Sequence, residues 1–152
     1  MSTSPDFSNP DQALIHRFLA GDGSPIAMDG NPLSRALHCS LTSVGPQRDR
    51  LEIEFEPDAL FIQGTNVLQG GAVSAMLDFA MAFVTLAQIP VGTNCATVDM
   101  STSFLRPAPK GRYRAVGEID RCGKTLAFAR ARLLRCDGEV LVATASSTLA
   151  LF

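Results

Sequence analysis

Residues 71–91 read GAVSAMLDFAMAFVTLAQIPV, a nearly unbroken apolar run whose only ionisable side chain is Asp78. Such a run leaves a chain few places to go. Its length suits a bilayer crossing, but an Asp at mid-membrane costs roughly 2.5–3.5 kcal/mol. Gly70 precedes the run, Gly71 opens it, and no basic cluster flanks it. The pattern predicts a buried core helix over 71–88, wrapped by other elements, and no membrane association.

On a helical wheel at about 100° per residue, Ser74, Asp78, Met81, Thr85 and Gln88 share one narrow stripe. Ala, Val, Leu, Met and Phe fill the remaining circumference. This predicts a helix enclosed by sheet, with a polar seam turned towards a partner subunit, a ligand, or both. A buried carboxylate is expensive without a partner, so Asp78 either pairs with an arginine, reaches solvent at a subunit edge, or serves chemistry. Gln69-Gly70-Gly71 precedes the helix. Small residues at a helix start leave backbone N–H groups free, and the dipole there favours negative charge. The spacing predicts an oxyanion hole on the Gly70 or Gly71 amide that brings a bound carbonyl carbon near Asp78, an acyl-transfer arrangement.

The rest of the chain supplies the wrapping. Asn9-Pro10-Asp11-Gln12 reads as a helix start, with Leu14, Ile15, Phe18 and Leu19 as its apolar stripe and Gly21 as its end. Residues 22–34 read as a long loop. Strands are predicted over Arg35–Val44 and Leu51–Glu56, with Leu51, Ile53 and Phe55 on one face and Glu52, Glu54 and Glu56 on a solvated one. Further strands follow over Asn94–Leu105, Arg112–Arg121, Thr125–Arg135 and Val140–Leu149, separated by turn residues such as Gly123-Lys124 and Asp137-Gly138. With no repeat or second domain boundary in 152 residues, this is one α+β domain: an antiparallel sheet with one long helix. A tail, short helix and loop over 1–34 precede the main body at 35–152.

The segment N-V-L-Q-G-G-A-V-S-A-M-L-D-F-A-M-A resembles the signature of hotdog-fold acyl-CoA thioesterases, particularly the phenylacetate-degradation, 4-hydroxybenzoyl-CoA thioesterase-like type. That pattern is roughly His-Gly-Gly, then an apolar helix with Asp nine residues after the His. Gln69 to Asp78 keeps the spacing. T-V-D-M at Thr97–Met100, S-F-L-R-P-A at Ser103–Ala108 and G-K-T-L-A-F at Gly123–Phe128 extend the resemblance over about residues 35–150. It implies a hotdog fold, a curved antiparallel sheet around the central helix, and hydrolysis of an acyl-CoA thioester to free acid and CoA without a cofactor or metal.

The same resemblance assigns roles. Asp78 falls on the carboxylate acting as general base or nucleophile, and Gly70 on the glycine whose N–H polarises the thioester carbonyl. Gln63 falls where relatives use Asn or Gln to orient substrate or water. Thr97 falls where some members place a Ser or Thr, from the neighbouring subunit, near the attacking water. Gln69, Gly71, Ser74 and Met81 are expected substrate contacts. Gln69 is the main departure, since most members have His there; Gln hydrogen-bonds but exchanges no proton near neutral pH. The family also implies active sites at a homodimer interface, with dimer-of-dimers tetramers common.

Rival readings are a non-catalytic acyl-CoA-binding module, motivated by Gln69, and an enoyl-CoA hydratase or dehydratase. The only histidines, His16 and His38, lie before the site region, which leaves His-based chemistry poorly supplied. A thiolate leaving group, with a conjugate acid pKa of about 8.5, departs without much help from an acid.

Charge and cysteines set the remaining expectations. Residues 1–60 carry net −5, whereas 101–136 hold nine bases against Glu118 and Asp120. A local basic surface suits a small polyanion such as the CoA nucleotide. Arg106, Arg121 and Lys124 fall in the segments resembling the family's CoA-contacting regions. Nucleic acid is disfavoured, with one Tyr, no Trp and no aromatics interleaved with the bases. Cys39, Cys95, Cys122 and Cys136 form no C-x-x-C pair, and Cys122 and Cys136 fall at opposite ends of a hairpin. Free thiols and the absence of a secretory signal at MSTSPDFSNPDQ point to a cytoplasmic protein.

Overall fold

The computed structural model describes residues 7–152. Its elements run α1 (Pro10–Ala20), β1 (Ile26–Ala27), α2 (Pro32–Ala36), β2 (Ser40–Val44), β3 (Arg50–Phe55), a 3-10 turn (Ala59–Phe61), α3 (Gly70–Gln88), β4 (Cys95–Phe104), β5 (Tyr113–Cys122), β6 (Leu126–Arg135) and β7 (Val140–Leu151). Seven strands form one antiparallel sheet in the order β1-β2-β3-β5-β6-β7-β4, curled around α3. This is the hotdog arrangement that the resemblance implied.

Period-two patterning explains how the sheet closes on the helix. In β6, Ala127, Ala129, Ala131 and Leu133 are buried against α3 while Leu126, Phe128, Arg130 and Arg132 face out. Small inward residues let a helix lie close, and Gly117 of β5 is the extreme case. A Cβ there would stand 2.4 Å from the Ala80 carbonyl oxygen, so only glycine fits beneath that turn of α3. Met76, Leu77, Met81 and Val84 are fully enclosed, each burial favourable by about 1.5–3 kcal/mol. The helix is long and apolar enough to cross a membrane, but 61% of it is buried within the fold.

Helix α1 begins as expected: the Asn9 side chain accepts from the Asp11 and Gln12 amides, with Pro10 in the first turn. The fully buried Gln12 then ties α1 to the end of α3. Its Nε2 donates to the carbonyls of Leu86, Ile89 and Pro90, and its Oε1 accepts from the Gly92 amide. These bonds satisfy carbonyls that a helix C-terminus otherwise leaves free.

Two expectations fail in the same region. Residues 22–34 hold the short β1 and the start of α2, and the strand expected over Arg35–Val44 begins only at Ser40. Asn31 is a helix N-cap, with a capping box to Ser34 and Pro32 at the first helical position. That signature was in the sequence, but the Gly, Pro and Asn content outweighed it.

Candidate active site

The position of α3 in the sheet decides which of its side chains are accessible. The accessible stripe is the exposed Gly71 with the half-buried Ser74, Ala75, Asp78, Phe79 and Ala82, rotated from the polar seam expected from the sequence. Thr85 is fully buried and its hydroxyl donates to the Met81 carbonyl, a bond that lets a polar side chain sit in a core. Met81 is also fully buried and lines neither cavity described below, which removes it from the expected substrate contacts. Gln88 donates to the Gln47 carbonyl instead of facing a ligand. Of the seam, Ser74 and Asp78 stay on the accessible face.

Among the described residues, Asp78 has no arginine partner. The Thr97 hydroxyl donates to its Oδ1 at 2.8 Å, from the same chain and not from a neighbouring subunit. A β-bulge makes this contact. Thr97 pairs with Leu149 while Asp99 pairs with Thr148, leaving Val98 as the extra residue. Thr97 therefore faces α3, whereas Asp99, two residues on, turns to the outer face. Without the bulge a second carboxylate would follow Thr97 towards Asp78.

Asp78 opens into a cavity of about 200 Å³ whose lining includes Ala75, Phe79, Ala82, Leu86 and Cys95. The Cys95 thiol is pushed up to about 11, by burial first and then by Asp78 and Asp11. It stays protonated near neutral pH, which makes it a wall rather than a nucleophile.

The other expected residues gather at the start of α3. Gln63, Gly70, Phe104 and Arg106 line a separate cavity of about 400 Å³. Backbone bonds shape its rim: Gln63 N–H donates to Val67, Leu68 N–H to Ala108 and Gln69 N–H to Phe61. The exposed Gln69 is the N-cap residue but its side chain makes no cap bond. Among the described residues, no backbone carbonyl accepts from the Gly70 or Gly71 amide. Gly70 lies under the Phe104 ring, 3.3 Å from where a Cβ would be, while Gly71 is open. Phe104 was passed over in the sequence although it sits within the S-F-L-R-P-A segment.

The two groups do not meet within one chain. Gly70 and Asp78 are eight residues apart on one helix, an axial step of about 12 Å. A carbonyl held on the Gly70 amide is therefore out of reach of the same chain's Asp78. The expectation that the spacing brings a carbonyl on the Gly70 amide near Asp78 is corrected accordingly: within one chain the two lie too far apart.

Most of the expected basic surface is neutralised. Arg112, Arg114, Arg130, Arg132 and Arg135 are ion-paired to Glu52, Glu54, Glu118, Asp120, Asp137 and Glu139. Burial opposes the charge on Arg114, but its bonds to Glu139 and Glu52 raise its pKa overall. Between residues 101 and 136, the bases without an acidic partner among the described residues are Arg106, Lys110, Arg121 and Lys124. Arg106 also donates to the Leu141 carbonyl. Lys124 lines a cavity with Gln88 and Pro90 at the far end of α3, so one chain does not bring it to Arg106. All four cysteines are free. No cluster of three or more His, Cys, Asp or Glu side chains able to hold a metal occurs among the described residues.

The profile of the thioesterase superfamily matches residues 65–142. A Thermoplasma volcanium protein provisionally named an esterase is 36% identical over 81 residues, 53% of this chain and 59% of that protein. The match thus spans less than two thirds of that relative. A crystal structure from Ralstonia eutropha, provisionally described as a thioesterase related to phenylacetic acid degradation, superposes with a TM-score of 0.76 at 28% identity, covering 89% of this chain and 97% of that one. A Silicibacter pomeroyi thioesterase family protein gives 0.76 at 25% identity, over 95% and 98% of the two chains. The Escherichia coli PaaI protein of the phenylacetic acid degradation operon has the same fold, with a TM-score of 0.74 at 15% identity over 94% of each chain.

Proposed function

The chain belongs to the thioesterase superfamily, and on that premise we propose that it hydrolyses acyl-CoA thioesters, with each active site shared between two copies of the chain. The observation that carries this reading is the Asp78–Thr97 pair on an accessible helix stripe, about 12 Å from the free amides that begin the same helix. A two-fold axis that sets two α3 helices antiparallel brings Asp78 of one copy to Gly70 of the other.

Thr97 occupies Oδ1 of Asp78 and leaves Oδ2 to accept a proton from water. The water oxygen attacks the thioester carbonyl carbon while Asp78 takes the proton. The resulting oxyanion rests on the Gly70 N–H at the positive end of the helix dipole, a donor worth roughly 2.7–4 kcal/mol. The C–S bond then breaks and the CoA thiolate leaves. It needs little protonation, so Gln69 in place of His does not remove a required acid. Gln63 and Gln69 orient the carbonyl end, and Arg106, Arg121 and Lys124 are free to meet phosphates.

The pairing surface fits the same picture. Strand β4 is a sheet edge with Val98 63% and Phe104 56% exposed. Unpaired edges of this kind are covered in native assemblies.

The test is thiol release from a panel of aryl- and fatty-acyl-CoA esters by the wild type and by Asp78→Asn. The expected result is turnover that falls by about 10²–10⁴ in the variant, with the fold retained because Asn still accepts from Thr97. Full turnover in Asp78→Asn overturns the assignment. Binding of CoA esters with no turnover in the wild type favours the non-catalytic module.

A further inference from the structure

The cavity at Asp78 contains a second carboxylate that the reaction does not use. It runs along α3 from Ala75 to Leu86, and Asp11 lines it together with Asn9 and Asn94. Gln12, the next residue in the chain, bonds to the Leu86 and Ile89 carbonyls, which fixes the first turn of α1 at the Leu86 end. Asp78 and Leu86 are eight residues apart, so the groove is about 12 Å long between the two levels.

The polar groups at the far end differ in what they have left to offer. Asn9 Nδ2 donates to Asn94 Oδ1, and Asn9 Oδ1 accepts from the Asp11 and Gln12 amides. Asn94 Oδ1 also accepts from the Cys95 amide. The Asp11 carboxylate accepts from no donor among the described residues, and partial burial raises its pKa from the ordinary Asp value. It stands beside Asn9 and Asn94 in a groove whose walls between Asp11 and Asp78 are apolar, and its oxygens accept from no described donor.

We propose that Asp11 is a specificity-determining residue, selecting short acyl groups whose far end carries a hydrogen-bond donor and rejecting those that end in a carboxylate. This rests on the thioesterase reading of the same site. A volume of about 200 Å³ holds a short chain or a single ring, since about 150 Å³ suffices for benzene. The walls accept methylenes, Asp11 accepts a hydroxyl or ammonium proton, and two carboxylates in one groove repel an anionic terminus.

Three esters of one chain length separate these effects: hexanoyl-CoA, 6-hydroxyhexanoyl-CoA and the 5-carboxypentanoyl ester. In the wild type, kcat/KM is expected highest for the hydroxylated ester and lowest for the acid. Asp11→Leu is expected to lower the hydroxyhexanoyl-to-hexanoyl ratio by about tenfold or more. Asp11→Asn is expected to raise turnover of the carboxylate ester selectively, with hexanoyl-CoA as the control for folding. Ratios that stay fixed while hexanoyl-CoA is hydrolysed, or all three rates falling together, overturn the role of Asp11. If the wild type releases no thiol, the hydrolase reading fails separately. The Tm shifts produced by the same three esters then read the Asp11 preference, and an equal shift in wild type and Asp11→Leu overturns it.

Discussion

In the proposed reaction Thr97 acts through a contact with Asp78 that the sequence did not show. Its hydroxyl is the group that fixes Asp78, so Thr97→Val should lower kcat by about 10- to 100-fold, in line with loss of a hydrogen bond to a charged group. Thr97→Ser keeps the donor and is expected to recover most of that rate. Steady-state kinetics on one ester checks both, and a Thr97→Val enzyme with unchanged kcat removes the positioning role. Asp78 itself was legible because it is the lone charge in an apolar helix. Its partner was legible only through resemblance, which gave the residue but not its same-chain bond to Asp78. The bulge at Val98 is set by backbone pairing with β7, which no local pattern in Thr97–Met100 reveals.

Among the elements, α3 shows both the reach and the limit of sequence reading. Its length and burial follow from composition, and its bounds agree with the expectation to within one residue. Its rotation in the sheet does not follow from composition. The wheel grouped the polar side chains, but Thr85 satisfied its hydroxyl on the helix backbone and was buried, and small Ala75 and Ala82 took the accessible face. What holds α3 at that rotation includes Gly117, an unremarked glycine in the middle of β5. Gly117→Ala places a Cβ 2.4 Å from the Ala80 oxygen; this should destabilise the fold by about 1–3 kcal/mol or more, as overpacking does when backbone must move. Denaturant unfolding measures it, and an unchanged midpoint contradicts the tight helix–sheet contact. The opposite lesson comes from α2, where the capping box of Asn31 and Ser34 was readable and was outweighed by loop-like composition.

At the scale of the whole molecule, the proposed reaction divides its base and its oxyanion hole between two copies of the chain. Only the family resemblance implied a site at a dimer interface, because a motif gives order and spacing along the chain without saying which copy supplies each part. The account predicts that two inactive variants repair each other. Asp78→Asn removes the base. Gly70→Pro removes the amide; the φ −56° and ψ 141° of Gln69 suit a following proline at the first helical position, and the exposed Phe104 ring, 3.3 Å from the new Cβ, must shift by a few tenths of an ångström. Each variant alone should lose about 10²-fold or more in kcat. The direct measurement is thiol release after the two are co-expressed or unfolded and refolded together. Random pairing leaves one intact site in each mixed dimer, so about a quarter of wild-type activity is expected to return. No recovery in verified mixed dimers means that base and oxyanion hole act from the same chain, which contradicts the shared site.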